Sequence, residues 1–172
     1  MKNGSYLITG VAGTGKSALA HELNGRGYAA YDTEEGFSYY TDKLTGDRVS
    51  PPSNPTPQWY SFHQRVFDEK VLKHLLKKHS AEPLFICSIT ANQSKFYSEF
   101  DKIFLLTSPD EVVIQRLGSR TNNYFGRHPV DLARVIDRHQ AFDNELREAG
   151  AIPIDSTRPI ETVADEILAD IK

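Results

Sequence analysis

The sequence predicts an α/β fold, a five-stranded parallel sheet with helices on both faces, and three observations carry that expectation. Short apolar runs recur along the chain, and helical spacing follows them. The run Leu84-Phe85-Ile86-Cys87 is apolar throughout, as a strand buried on both faces must be. The opening strand runs straight into Gly10-Val11-Ala12-Gly13-Thr14-Gly15-Lys16-Ser17, which has the glycine, four residues, Gly-Lys-Ser spacing of a phosphate-binding loop.

Each element follows from its residues. Tyr6–Thr9 reads as a buried strand and Ala18–Leu23 as the helix after the loop, ending near Asn24-Gly25-Arg26-Gly27, where glycine supplies the left-handed stop. Tyr28–Tyr31 is a second strand, followed by Asp32-Thr33-Glu34-Glu35. Residues 36–58 are the least regular, with a hairpin or irregular loop around Leu44-Thr45-Gly46 and prolines at 51, 52, 55 and 57 that forbid regular structure. A long helix is expected from Thr56 to His79, because Trp59, Phe62, Val66, Val71 and Leu75 recur at helical spacing. Pro83–Ile89 is the third strand, Gln93–Phe100 a helix, and Ile103–Leu106 the fourth strand. Ser108 and Glu111 have capping-box spacing around Pro109 at the start of the next helix. Pro129 opens another, which ends at Gly150. Ala151–Asp155 is the fifth strand, and Ile160, Val163, Ile167, Leu168 and Ile171 mark the inner face of the last helix.

The chain of 172 residues is enough for one domain, taken as residues 1–172, with no internal repeat or linker. A net charge of −3 gives no long-range attraction to nucleic acid or to an anionic membrane. No apolar run reaches the roughly 20 residues needed to span a bilayer, and the N-terminus lacks the pattern of a secretory signal. The single cysteine, Cys87, fits a reducing cytoplasm and reads as a buried, inert thiol. The histidines at 63, 74 and 79 lack zinc-site pairing, so no zinc is expected. A monomer or a homodimer is expected.

The loop carries the chemistry. Its glycines let several backbone N–H groups point at one spot, and the helix N-terminus adds its positive dipole end. Gly10, Gly13, Thr14, Gly15, Lys16, Ser17 and Ala18 are therefore the expected phosphate contacts of ATP. Lys16 adds charge at the β- and γ-phosphates, and the Ser17 hydroxyl suits Mg²⁺. Acids at the C-terminal end of a strand face the ligand crevice. Asp32 is thus expected to hold a water of the Mg²⁺ shell or to accept a proton from a substrate hydroxyl, and Glu34 to bind that substrate.

The third strand ends in Cys87-Ser88-Ile89-Thr90-Ala91-Asn92-Gln93, where a Walker-B acid would be expected, so the second Mg²⁺ contact falls to Asp32. Asn92 and Gln93 can bind a substrate or simply open the next helix. Tyr39, Tyr40 and Trp59 either stack on a flat substrate or pack their own loop. As a set beside Asp32 they make residues 36–60 the acceptor-binding insertion. Arg116 and Arg120, Arg127, and Arg138 flank the polar loop 121–128, where closure would bring fixed positive charge onto a transferring phosphoryl group and exclude water. His139 faces the core and reads as structural.

Taken together, these pieces resemble the P-loop nucleoside and nucleotide kinase-like group, which includes adenylate kinases and shikimate kinases. The resemblance implies a three-layer P-loop NTPase fold with sheet order 2-3-1-4-5. Asp32-Thr33-Glu34 is similar to the paired acidic motif of shikimate kinases, in which one carboxylate serves the metal shell and the other the acceptor. Arg116-Leu117-Gly118-Ser119-Arg120 is similar to the adenylate kinase motif, which implies adenine stacking for Arg116 and phosphate contact for Arg120. Residues 121–128 would be the lid, and Arg138 the arginine reaching both phosphate groups. The chain also resembles small bacterial putative kinases. It has neither the Asp-Gly-Phe-Pro-Arg segment of adenylate kinases nor the Gly-Gly-Gly run of shikimate kinases after the third strand. The expectation is an ATP- and Mg²⁺-dependent kinase acting on a small nucleoside, nucleotide or shikimate-like acceptor. The alternative is an ATP-binding regulator or slow ATPase with no small-molecule acceptor.

Overall fold

The computed structural model describes residues 4–33, 35–119, 125–126 and 128–172. Five parallel strands form the central sheet: β1 (Ser5–Thr9), β2 (Ala29–Asp32), β6 (Leu84–Cys87), β7 (Lys102–Thr107) and β8 (Ile152–Asp155). Their spatial order is β2-β6-β1-β7-β8. Counted along the chain as the five strands of this sheet, that is the expected order 2-3-1-4-5. Every neighbouring pair is parallel.

The apolar runs cover both faces of this sheet because successive side chains alternate sides. Tyr6 and Ile8 point with Phe85, Phe104, Leu19, Leu23, Val163 and Ile167 into one core layer, under α1 (Lys16–Gly25) and α6 (Ile160–Asp170). Leu7, Leu84, Ile86 and Leu105 point the other way. They meet Phe37, Phe67, Leu72, Phe96 and Leu146, from α3 (Glu69–Lys78), the 3₁₀ helix Gln93–Glu99, α5 (Pro129–Glu148) and the adjoining strands. A smaller cluster of Val11, Val113, Leu117 and Val135 packs the loop against α4 (Asp110–Ser119) and α5.

The expected helix over 56–79 does not form. The chain instead makes α2 (Pro57–Phe62), then β5 (His63–Phe67), then α3. With β3 (Ser38–Asp42) and β4 (Arg48–Val49), β5 builds a second, antiparallel sheet in the order β4-β3-β5. Two caps cut the segment. Thr56 accepts from the Trp59 amide, and the Asp68 carboxylate accepts from Lys70 and Val71 at the start of α3. Between them all five β5 residues pair with β3, which overrides a helical spacing that spans two separate helices and a strand. Phe62, assigned to the core by that spacing, is 58% exposed.

The Asn92 side chain anchors the far edge of β5, accepting from the Phe67 amide at 2.8 Å and donating to its carbonyl at 3.2 Å. Ser108 does not act as the expected capping-box residue. Its hydroxyl pairs with Ser156 Oγ at 2.7 Å, and α4 begins at Asp110. Among the described residues, no helix is long and apolar enough to cross a membrane.

Candidate active site

The loop 10–15 leaves β1 and enters α1 through Gly13 at φ +90 and Gly15 at φ +102, conformations that side chains rarely adopt. The close packing at Gly10 has a different cause. A Cβ there would lie 2.6 Å from Thr14 Oγ1 and 2.7 Å from the Leu106 carbonyl, so the loop presses on β7 where only hydrogen fits. Thr14, fully buried, locks the bend by donating to the Val11 carbonyl at 2.9 Å. Lys16 Nζ curls over the loop and donates to the carbonyls of Gly10 (2.6 Å) and Val11 (2.9 Å). Ser17 and Ala18 are exposed beside it.

The start of α1 has no side-chain cap and no acid in its first turn, whereas α2, α3 and α5 are capped by Thr56, Asp68 and His128. The first-turn amides of α1 therefore keep their positive end for a ligand. This cradle, closed to any Cβ at Gly10, fits a polyphosphate tail.

Asp32 ends β2 in register with Cys87 at the end of β6. Thr33 Oγ1 bonds to the Cys87 carbonyl and to Ser88 Oγ, and the Ser88 amide donates to Ile8 just before the loop. Asp32, Ser88 and Lys16 thus stand at the same end of three adjacent strands. The Cys87 thiol registers this: burial pushes its pKa up, the Asp32 charge adds to the rise and the Lys16 charge opposes it. The exposed Ser17 hydroxyl and the Asp32 carboxylate are hard oxygen donors of the kind that could hold Mg²⁺ with retained water.

The second sheet turns one face to this end of β2. Ser38, Tyr40 and Arg65 share that face, Tyr40 lying opposite Arg65. Ser38 Oγ donates to the Thr33 carbonyl at 2.8 Å, and Arg65 Nη1 contacts the same carbonyl at 3.3 Å and Ser38 Oγ at 3.1 Å. The Arg65 guanidinium lies over the Tyr40 ring at 4.4 Å. Trp59 meets Tyr40 edge-on at 4.9 Å and stacks on His63 at 4.3 Å. Tyr39 points to the opposite face of the sheet, under Arg48, and does not join the others. Arg65 escaped the sequence reading because the segment was placed on a helix. The signal that locates it is Asp68, whose cap ends the preceding segment as a strand.

Among the arginines, Arg116 reaches the turn after β8, donating to the Ser156 carbonyl at 2.7 Å and to Ser108 Oγ at 3.4 Å. Asp155 in that turn has its carboxyl pKa lowered, first by hydrogen bonds from Thr157. Arg134 and Lys43 both hold α2: Arg134 donates to the Pro57 carbonyl and Ser61 Oγ, Lys43 to the Tyr60 and Ser61 carbonyls. The Lys43 ammonium pKa is lowered by burial first, then by the nearby charges of Arg134 and Arg138. Arg138 is exposed on α5, and its charge is felt at Lys43. His139 bonds to Asp110 at 2.6 Å, tying α5 to α4. Gln93 is buried and bonds to Thr9, Thr90 and Tyr97. Glu34, Arg120 and Arg127 lie outside the described residues, as does the expected lid apart from Phe125, Gly126 and His128.

A family model described as an AAA domain matches residues 7–149. No curated protein matches the chain. Solved structures share its fold at low identity. A shikimate kinase from Acinetobacter baumannii in complex with shikimate is 18% identical with a TM-score of 0.64, over 98% of this chain and 92% of that one. A gluconokinase from Sinorhizobium meliloti is 18% identical with a TM-score of 0.57, over 98% and 91%. A deoxyadenosine kinase from M. mycoides with bound dATP is 14% identical with a TM-score of 0.55, over 97% and 98%. The family match runs from the first strand to the end of α5, and the chain belongs to the AAA domain family, with the fold of the P-loop small-molecule kinases.

Proposed function

We propose that this protein is an ATP-dependent kinase that transfers the γ-phosphoryl group to a hydroxyl of a small molecule. The observation that carries this reading is the uncapped N-terminus of α1 under a glycine bend, with the Asp32 carboxylate at the end of a nearby strand of the same sheet. In this reading the loop amides and Lys16 hold the β- and γ-phosphates, and Ser17 and Asp32 are the residues that would hold Mg²⁺. Bound Mg²⁺ supplies positive charge to the phosphate oxygens.

Asp32 also orients the acceptor and takes its hydroxyl proton as the acceptor oxygen bonds to the γ-phosphorus. The bond from that phosphorus to the β-bridging oxygen breaks, and ADP leaves. Arg120 and Arg127 stabilise the charge on the transferring group, and Arg138 approaches from α5. Arg116, beside the turn after β8, stacks on adenine. Trp59 and Tyr40 wall the acceptor side, and Glu34 binds an acceptor hydroxyl. The fold shared with the three kinases supports the reaction class.

The test is coupled ADP release over gluconate, shikimate, nucleosides and nucleoside monophosphates. Turnover that rises with one acceptor and disappears in Lys16→Ala is the expected result. No stimulation by any of them contradicts it. A second reading, an ATP-binding regulator with slow hydrolysis, draws on Ser88 standing at the end of β6 where an acid would be expected. Acceptor-independent hydrolysis raised only by a protein partner would favour it.

A further inference from the structure

We propose that the corner between the start of α4 and the middle of α5 binds a small primary amine, held by Asp143 and His139; this stands apart from the kinase reading. A cavity of about 240 Å³ opens there, lined by Ser108, Pro109, Asp110, His139, Gln140 and Asp143. Its three buried side chains are Ser108, His139 and Asp143. Ser108 spends its hydrogen on Ser156 Oγ, because Ser156 Oγ itself donates to the Thr107 carbonyl. The other two keep only acceptors.

A carboxylate accepts and cannot donate, so the 2.6 Å bond from His139 to Asp110 takes the Nδ1 hydrogen and leaves the neutral ring a lone pair on Nε2. Nε2 faces Asp143 Oδ2 at 3.8 Å, too far for a hydrogen bond. Asp143 Oδ1 is buried and has no hydrogen-bond partner, in a residue only 9% exposed. Burial raises the carboxyl pKa, and a protonated His139 and Arg147 oppose the rise without bonding that oxygen. Keeping an acid there is costly unless a donor arrives.

A primary ammonium brings one positive charge and three N–H donors. One N–H suits the His139 Nε2 lone pair and another the Asp143 carboxylate, while Asp110 adds a second negative charge that is felt at Asp143. Among the described residues no three His, Cys, Asp or Glu side chains could hold a metal ion, so the cation has to carry its own donors. The lining has no Trp, Tyr or Phe face for a quaternary ammonium. The volume is below the roughly 300–1,000 Å³ of sites for drug-sized ligands, so the amine is small.

The whole protein, held at about pH 8, above the usual imidazole range, is titrated with ethanolamine against ethylene glycol and with putrescine against butanediol. Tetramethylammonium, which has the charge but no N–H, and MgCl₂ complete the set. Binding is followed by calorimetry and by the ring NMR signals of His139. Each amine is expected to saturate and to bind about tenfold to a hundredfold more tightly than its diol or tetramethylammonium, the range for hydrogen bonds to a charged group. Asp143→Asn removes that preference. Asp137→Asn, which takes the same charge from an exposed position on α5, keeps it, and circular dichroism checks both folds. Should Asp143→Asn fail to fold, the comparison of probes on the wild-type protein decides alone. An amine site is ruled out if no amine saturates and the His139 signals answer only to pH, or if a diol, tetramethylammonium or Mg²⁺ gives the same response. It is equally ruled out if a folded Asp143→Asn keeps the preference or Asp137→Asn loses it.

Discussion

The phosphate loop and the small antiparallel sheet flank the same end of β2, but they offer different groups to a ligand. At the loop the groups are backbone amides, set by glycines at φ +90 and +102 and by a helix start that carries no cap. At the sheet they are side chains, Ser38, Tyr40 and Arg65, brought to one face by strand pairing. A backbone site depends on a few residues and reads any polyphosphate alike. A side-chain site can change its ligand by substitution without touching the loop. The shikimate kinase, gluconokinase and deoxyadenosine kinase that share this fold are named for different acceptors.

The sharpest way to break the division is Lys16→Ala. It should lower turnover by about 10²–10³-fold, the scale of losing one preorganised charge contact in a transition state, and leave acceptor binding at Trp59 unchanged. ADP-release rates and Trp59 titrations measure the two sides separately.

Next comes a pair of glycines. Gly10→Ala drives a Cβ to 2.7 Å from the Leu106 carbonyl, so loop and β7 must part. Loss of calorimetric ADP binding and a stability loss of about 1–3 kcal/mol are expected. Gly15→Ala meets no atom within 4 Å and suffers only its φ of +102. It should cost less in urea unfolding than Gly10→Ala, and the reverse order would contradict the packing described for the loop.

The difference between the two regions also governs what the chain made legible before its fold was known. The loop is written in consecutive residues, so Gly10 to Ser17, the strand before them and the helix after them could be read directly. The five parallel strands and their order followed from unbroken apolar runs and from the resemblance. β5 could not be read that way, because His63–Phe67 becomes a strand only by pairing with β3, from Asp42 opposite His63 to Ser38 opposite Phe67, well beyond the reach of local periodicity. With β5 misplaced on a helix, Arg65 had no reason to stand out. Asn92, left open between substrate binding and helix opening, belongs to the same long-range construction, since its side chain completes the β5 edge.

Asn92→Ala sharpens the comparison from the sheet side. It strands the Phe67 amide and carbonyl, a loss of about 1–3 kcal/mol. It should raise the acceptor KM and leave ADP affinity as it was. Equal damage to both would mean that the sheet and the loop are one cooperative unit. Asp68→Ala, which removes the α3 cap, should cost only about 1 kcal/mol in urea unfolding and leave both ligands bound normally.

The smallest effect lies outside both regions. Burial raises the Asp143 carboxyl pKa, a rise that His139 and Arg147 oppose. An acid with a raised folded pKa contributes stability below its unfolded pKa and loses it as pH rises through the folded value. Asp143→Asn should therefore compare more favourably with wild type at pH 7 than at pH 4 in thermal unfolding. The opposite sign would make Asp143 a net ion-pair partner of His139.

The most direct test of the two-site account is an amide chemical-shift map on adding a non-hydrolysable ATP analogue with Mg²⁺. The largest shifts are predicted for Gly13, Thr14, Gly15, Lys16, Ser17 and Ala18, with Ser38, Tyr40 and Arg65 nearly still until an acceptor is added. Loop amides that stay in place while those of β3 and β5 move would contradict it.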